Sequence, residues 1–138
     1  MGGKRVMNAS EYQKLAMRTN DRKATDRLLE LIDDNQIVSG DDLIIPDIGG
    51  LLNGCLGLAG ESGETLDMVK KWIFHEKELD LEHFKKELGD VMWYMAMICE
   101  AMEMNLNEIM QMNVDKLKAR YPEGFDTVRA NNRADGDV

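Results

Sequence analysis

The chain has 138 residues, 43% of them hydrophobic and 31% charged, with a formal net charge of −9. A chain of this length makes a single domain that buries about two-thirds of its unfolded surface without a disulfide or structural metal. The acidic balance excludes a general nucleic-acid binder, which needs a basic face against phosphates, but a nucleotide substrate stays open because bound divalent cations supply positive charge.

The opening Met1-Gly2-Gly3-Lys4-Arg5-Val6 lacks both a signal-peptide core and the hydroxyl residue that a myristoylation site wants at position 6. Ser10-Glu11-Tyr12-Gln13 has the form of a capping box and opens a first helix of two to three turns. A second helical stretch follows from Lys23 to Asp33. Gln36 to Ile48, with Gly40, Asp41, Asp42 and Pro46, reads as a loop, either a plain connector or a segment that moves over a site. No alternating pattern in the chain is strong enough to predict a strand.

A long helix is predicted from Ile48 to His75, despite Gly54, Gly57, Gly60 and Gly63. These glycines, three apart, serve either close helix–helix approach or room for a ligand, and both roles are compatible. Asp80 is the expected N-cap of the next helix, Leu81 to Met104. Its stretch Val91 to Cys99 is apolar all round, so it must be buried on more than one side, and a second subunit is a natural cover. Cys55 and Cys99 lie in apolar helical stretches without metal-type spacing, and read as reduced core residues of a cytoplasmic protein. Asn107 is expected to cap a last helix to Arg120, stopped by Pro122 and Gly124. Arg129 to Val138 is polar and reads as a frayed tail. The expectation is an all-α helical bundle completed by oligomerisation, with no membrane span because no run of about 18 apolar residues occurs.

Two acidic pairs carry the chemistry. Glu61 and Glu64 lie three apart on one helix, and Glu87 and Asp90 three apart on the next. Residues at that spacing project from nearly the same side. The first pair shares its stripe with Thr65, Met68 and Trp72, the second with Val91, Tyr94 and Ile98. Acids on apolar stripes are not solvated decoration, because burying unpaired charge is expensive. Consecutive long helices with a short link pack antiparallel, which brings both pairs to one cleft. Four converging carboxylates call for a hard divalent cation such as Mg²⁺, with Mn²⁺ a possible substitute. That combination suits phosphoanhydride hydrolysis. The bland alternative is surface acids with lysine partners, Glu64 with Lys71 or Glu87 with Lys86. Asp80-Leu81-Glu82-His83 is the lone acid-x-x-His run, so a di-iron bundle is discounted. His75 and His83 flank the inter-helix link, where exposed histidines are commonplace.

Gly57-Leu58-Ala59-Gly60-Glu61-Ser62-Gly63-Glu64-Thr65, then Lys86-Glu87-Leu88-Gly89-Asp90-Val91-Met92-Trp93-Tyr94, resemble the MazG-like nucleoside triphosphate pyrophosphohydrolases. Asn113 to Phe125 looks like the end of the same domain, and Glu11-Tyr12-Gln13 with Arg18-Thr19 also fits small members. The resemblance runs from about residue 8 to 128, so a single domain over 1–128 is expected, with a divergent stretch at 25–50 and the tail at 129–138. It implies a fold related to dimeric dUTPases and hydrolysis of a nucleoside triphosphate to monophosphate and pyrophosphate, in the service of nucleotide-pool housecleaning. The family's metal-binding acids fall on Glu61, Glu64, Glu87 and Asp90, while its first acid is replaced here by Gly60. Asp67 is either an assisting acid or solvent-facing. The similarity further places Lys116 and Arg120 near the phosphates and Asn113 and Tyr94 near the sugar or base, with Lys71 and Lys70 as weaker phosphate candidates. Two rival readings use the same residues: a non-catalytic helical dimerisation or regulatory module, and a related hydrolase acting on another nucleotide phosphoanhydride. The expected partners are the nucleotide and a second copy, as homodimer or homotetramer, with neither nucleic acid nor membrane.

Overall fold

The computed structural model describes residues 7–132. The expectations about Met1 to Val6 and the last six residues of the tail lie outside them. The described chain is all-α apart from one small hairpin, and it divides into two compact units, one up to Asn35 and one from Gln36 onward.

The first unit holds α1 (Ala9–Ala16) and α2 (Ala24–Asp33), with a short 3₁₀ turn after α1. The capping box of α1 is set by Asn8, not Ser10. The Asn8 side chain accepts the Glu11 N–H at 2.9 Å, and the Glu11 carboxylate accepts the Asn8 N–H at 3.2 Å. Asn8 with Glu11 satisfies two helix-end donors reciprocally, an advantage that Ser10 with Gln13 does not displace.

The second unit begins with β1 (Ile37–Ser39) and β2 (Asp42–Ile44), an antiparallel hairpin pairing Ile37 with Ile44 and Ser39 with Asp42. This corrects the loop expected there. Three-residue strands are too short to show alternation, and the signal that remained was Gly40, whose φ of +62° suits a two-residue hairpin loop. Pro46 then leads, fully buried, into α3 (Ile48–Phe74), capped by the Asp47 side chain on the Gly50 N–H.

α3 packs antiparallel along α4 (Leu81–Ala101), and among the described residues no other two helices run against each other over any length. The Asp47 N–H closes the far end of the pair by donating to the Ala101 carbonyl at 2.8 Å. A Cβ on Gly50 would come within 3.3 Å of the Ala101 methyl, one on Gly54 within 2.7 Å of Ile98, and one on Gly57 within 2.1 Å of the Tyr94 ring. Glycine is therefore required for this approach. Gly60 and Gly63 are different, since nothing lies within 4 Å of a Cβ at either. A three-residue step falls about 60° short of a full turn, so a row of glycines three apart rotates off the interface. The two roles read from the sequence fall to different members of the row.

α5 (Leu106–Arg120) is capped by Asn105, which accepts the Asn107 N–H at 2.9 Å, so Asn107 is a first-turn residue and not the cap. Gly124, at φ +99°, turns the chain after Pro122, and α6 (Thr127–Asn131) occupies the start of the expected tail. Few apolar side chains are buried: Pro46, Ile48, Cys99 and Ala101 among the described residues. Cys99 is a core residue as expected, but Cys55 is exposed, because it lies off the face of α3 that meets α4. Leu56, Phe74, Met92 and Trp93 stay more than half exposed.

Candidate metal centre and substrate cleft

The register that sets Gly50, Gly54 and Gly57 against Ala101, Ile98 and Tyr94 continues toward the link between the helices. Steps of four and three residues carry it from Gly57 to Glu61 and Glu64 on α3, and from Tyr94 to Asp90 and Glu87 on α4. The two acidic pairs thus meet because the glycines upstream let the backbones close. Carboxylate oxygens of Glu61, Glu87 and Asp90 lie within 4.8 Å of one another. Glu61 is half-buried, Glu87 buried and Asp90 exposed.

Electrostatics at this cluster run against full ionisation. The Glu61 carboxyl is pushed above its ordinary value, first by loss of solvent, then by the charge of Glu64, a hydrogen bond with Glu87 and the charges of Asp90 and Glu87. An oxygen-only donor set, with Glu87 buried and the Glu61 carboxyl raised by lost solvent and neighbouring acids, fits a hard divalent cation. Glu64 stands outside the three-carboxylate group. It lines, with Glu87, a cleft of about 430 Å³ that opens beside it and is bounded by Met68, Lys71, Lys77 and His83.

The remaining candidates divide. Lys71 reaches the cleft, but its ammonium pairs with Asp67, which also binds Lys70 at 2.7 Å. That double contact holds the Asp67 carboxyl down at about 2, on a side chain that is partly exposed and lies outside the three-carboxylate group. The lysine pairs of the bland alternative, Lys71 with Glu64 and Lys86 with Glu87, do not form among the described residues: Lys71 pairs with Asp67 and Glu87 with His83. The Tyr94 ring covers Gly57 and meets Trp93 edge-on at 4.9 Å, which makes it a packing residue of the α3–α4 interface outside the cleft wall. Asn113, Lys116 and Arg120 sit on α5, which does not run along α3 or α4, and none of them lines the cleft. The Arg120 guanidinium lies 5.9 Å from the Tyr121 ring centroid.

Two residues of the site lie outside the candidates read from the sequence: His83, set aside as an exposed histidine beside the link, and Lys77. His83 Nε2 lies 2.7 Å from Glu87 Oε1, one helical turn away, and fixes that carboxylate. The four-residue spacing of His83 and Glu87 was a readable signal for the pair. Lys77 enters the cleft from the α3–α4 link, where no periodicity exists to place it.

Antiparallel helices thus converge acids on one cleft, a donor set of the kind that hard divalent cations take. The chain belongs to the MazG nucleotide pyrophosphohydrolase family: the model of the MazG nucleotide pyrophosphohydrolase domain matches residues 52–125, spanning α3, α4 and α5. The matched stretch covers the C-terminal part of the resemblance that runs from about residue 8 to 128. The Gene 37 protein of Mycobacterium phage L5 is 34% identical over 113 residues, covering 74% of this chain and 98% of the phage protein. No solved structure matches the chain. Family membership gives nucleotide pyrophosphohydrolysis as the general activity, with dependence on a divalent metal. No helix among the described residues is long and apolar enough to cross a membrane.

Proposed function

We propose that the protein hydrolyses nucleoside triphosphates to monophosphate and pyrophosphate in the presence of Mg²⁺, as a nucleotide-pool housecleaning enzyme of the cytoplasm. The convergence of Glu61, Glu87 and Asp90 within 4.8 Å carries this reading. These three residues would hold the cation, which when bound neutralises phosphate charge and lowers the pKa of a nearby water. Glu64, close enough to raise the Glu61 carboxyl yet outside the triad, faces the cleft and serves as the base. A water held by Glu64 adds through its oxygen to phosphorus and its proton passes to the carboxylate. The α–β anhydride bond breaks with its electron pair on the bridging oxygen. His83 keeps Glu87 in place through the cycle.

The working form in this reading is a homodimer or homotetramer. Leu56, Phe74, Met92 and Trp93, each more than half exposed on the α3–α4 pair, support it, since a second copy would cover them. Asn113, Lys116, Arg120 and Tyr94 keep a substrate role only through such an assembly. The test is a panel of standard, deoxy and modified nucleoside triphosphates with Mg²⁺ or Mn²⁺. Pyrophosphate release from at least one is expected, and its absence from all would refute the proposal.

A further inference from the structure

The cleft beside Glu64 and Glu87 contains more than the acids explain. Its volume of about 430 Å³ suits a small ligand. Its wall holds no Phe, Tyr or Trp, so it offers a nucleobase nothing to stack on. Three potential cations reach it: Lys71, Lys77 and His83. Lys71 is engaged by Asp67, and His83 by Glu87. Among the described residues the Lys77 side chain has no ion pair and no hydrogen bond. Acids nevertheless surround it, since Glu64, Glu78 and Asp80 share the same wall.

Lys77 is held there by the backbone. At the end of α3 the His75 and Lys77 N–H groups both donate to the Lys71 carbonyl, at 3.0 and 3.3 Å. Glu76 between them takes φ +52°, a left-handed conformation that is costly for a residue with a Cβ. The reversal brings the chain back over the last turn of α3 and sets Lys77 on the cleft instead of letting it trail along the helix axis. A lysine ammonium is a compact point charge with three donors, a common partner of phosphate oxygens.

We infer that Lys77 binds the pyrophosphate portion of the substrate, seated in the cleft on the Glu64–Glu87 side of the acid cluster. This rests on the reading of the site as a pyrophosphohydrolase and adds the placement of the substrate in it: the polyphosphate points toward the α3–α4 link, and the nucleoside lies away from it.

The experiment is calorimetric titration of inorganic pyrophosphate into the full chain with Mg²⁺, for the unaltered protein and for Lys77→Met, Lys77→Arg and Lys85→Met. Lys85, paired with Glu82 outside the cleft, is the control. Lys77→Met is expected to weaken pyrophosphate binding about five- to tenfold, the effect of one partly exposed charged contact. Lys77→Arg restores most of it and Lys85→Met changes nothing. Nucleoside monophosphate binding and Mn²⁺ affinity stay as in the unaltered protein. Unchanged pyrophosphate affinity in Lys77→Met, or a loss that falls on the monophosphate or on Mn²⁺ instead, overturns the inference while leaving the activity standing. If the unaltered protein neither binds nor releases pyrophosphate, the functional reading fails and takes this placement with it.

Discussion

The two ends of the α3–α4 pair share one register and do opposite things with it. Near Ala101 the interface is dry and glycine-lined, with Gly54 under Ile98 and Gly57 under Tyr94. Near the link the same positions carry Glu61, Glu64, Glu87 and Asp90, and the helices enclose a cleft. The apolar end supplies the approach and the acidic end spends it, holding like charges together that would otherwise move apart. Stability and chemistry are thus divided along one pair of helices.

The largest effect is expected at the acidic end. Asp90→Asn should cut pyrophosphate release by roughly 100-fold or more, since even outer partners of a metal site typically cost 10- to 100-fold. Circular dichroism of the variant should remain that of the unaltered chain. At the dry end, Gly57→Val forces a side chain into the Tyr94 ring and should destabilise by about 1–3 kcal/mol in chemical denaturation. Gly60→Ala meets open space in the middle of a helix and should instead stabilise by about 0.5–1 kcal/mol. The opposite signs of these two glycine substitutions, one turn apart, are the sharpest form of the comparison.

Smaller effects follow pH. Because the folded Glu61 carboxyl lies above its ordinary value of 4.5, the folded protein holds a proton that the unfolded chain releases. Metal-free protein should therefore lose stability as pH rises from about 4.5 through that raised value, and Glu61→Gln should abolish the loss in thermal melts with a chelator. Asp67 behaves in the reverse sense. Its contribution is present above 3.8 and fades as pH falls toward about 2, so Asp67→Asn should flatten only the acid limb.

Much of this division was legible beforehand. The start of α4 follows from its cap, Asp80, and the acidic pairs from spacing alone. The cap of α3, Asp47, and the end of α4 at Ala101, short of the expected Met104, come from the structure. What the sequence withheld depends on competition or on turns. Asn8 outranks Ser10, and Asn105 stands where Asn107 was expected, because several residues near a helix start are competent caps. The short hairpin lacked the length to show a period. Cys55 was read as buried from its neighbours' composition, yet helix rotation leaves it outside. Lys77 reaches the cleft only through the left-handed Glu76, a backbone choice no residue pattern announces. Glu64, three residues from Glu61, lines the cleft at the edge of the Glu61, Glu87 and Asp90 cluster, a position that spacing alone does not separate from theirs.

The central claim is that Glu61, Glu87 and Asp90 form a divalent-cation site, and direct titration of Mn²⁺ tests it without any substrate. The unaltered protein should bind the ion saturably and melt at a higher temperature when loaded, and Asp90→Asn should lose both responses. Equal binding by the two proteins, or none by the unaltered chain, would contradict the account.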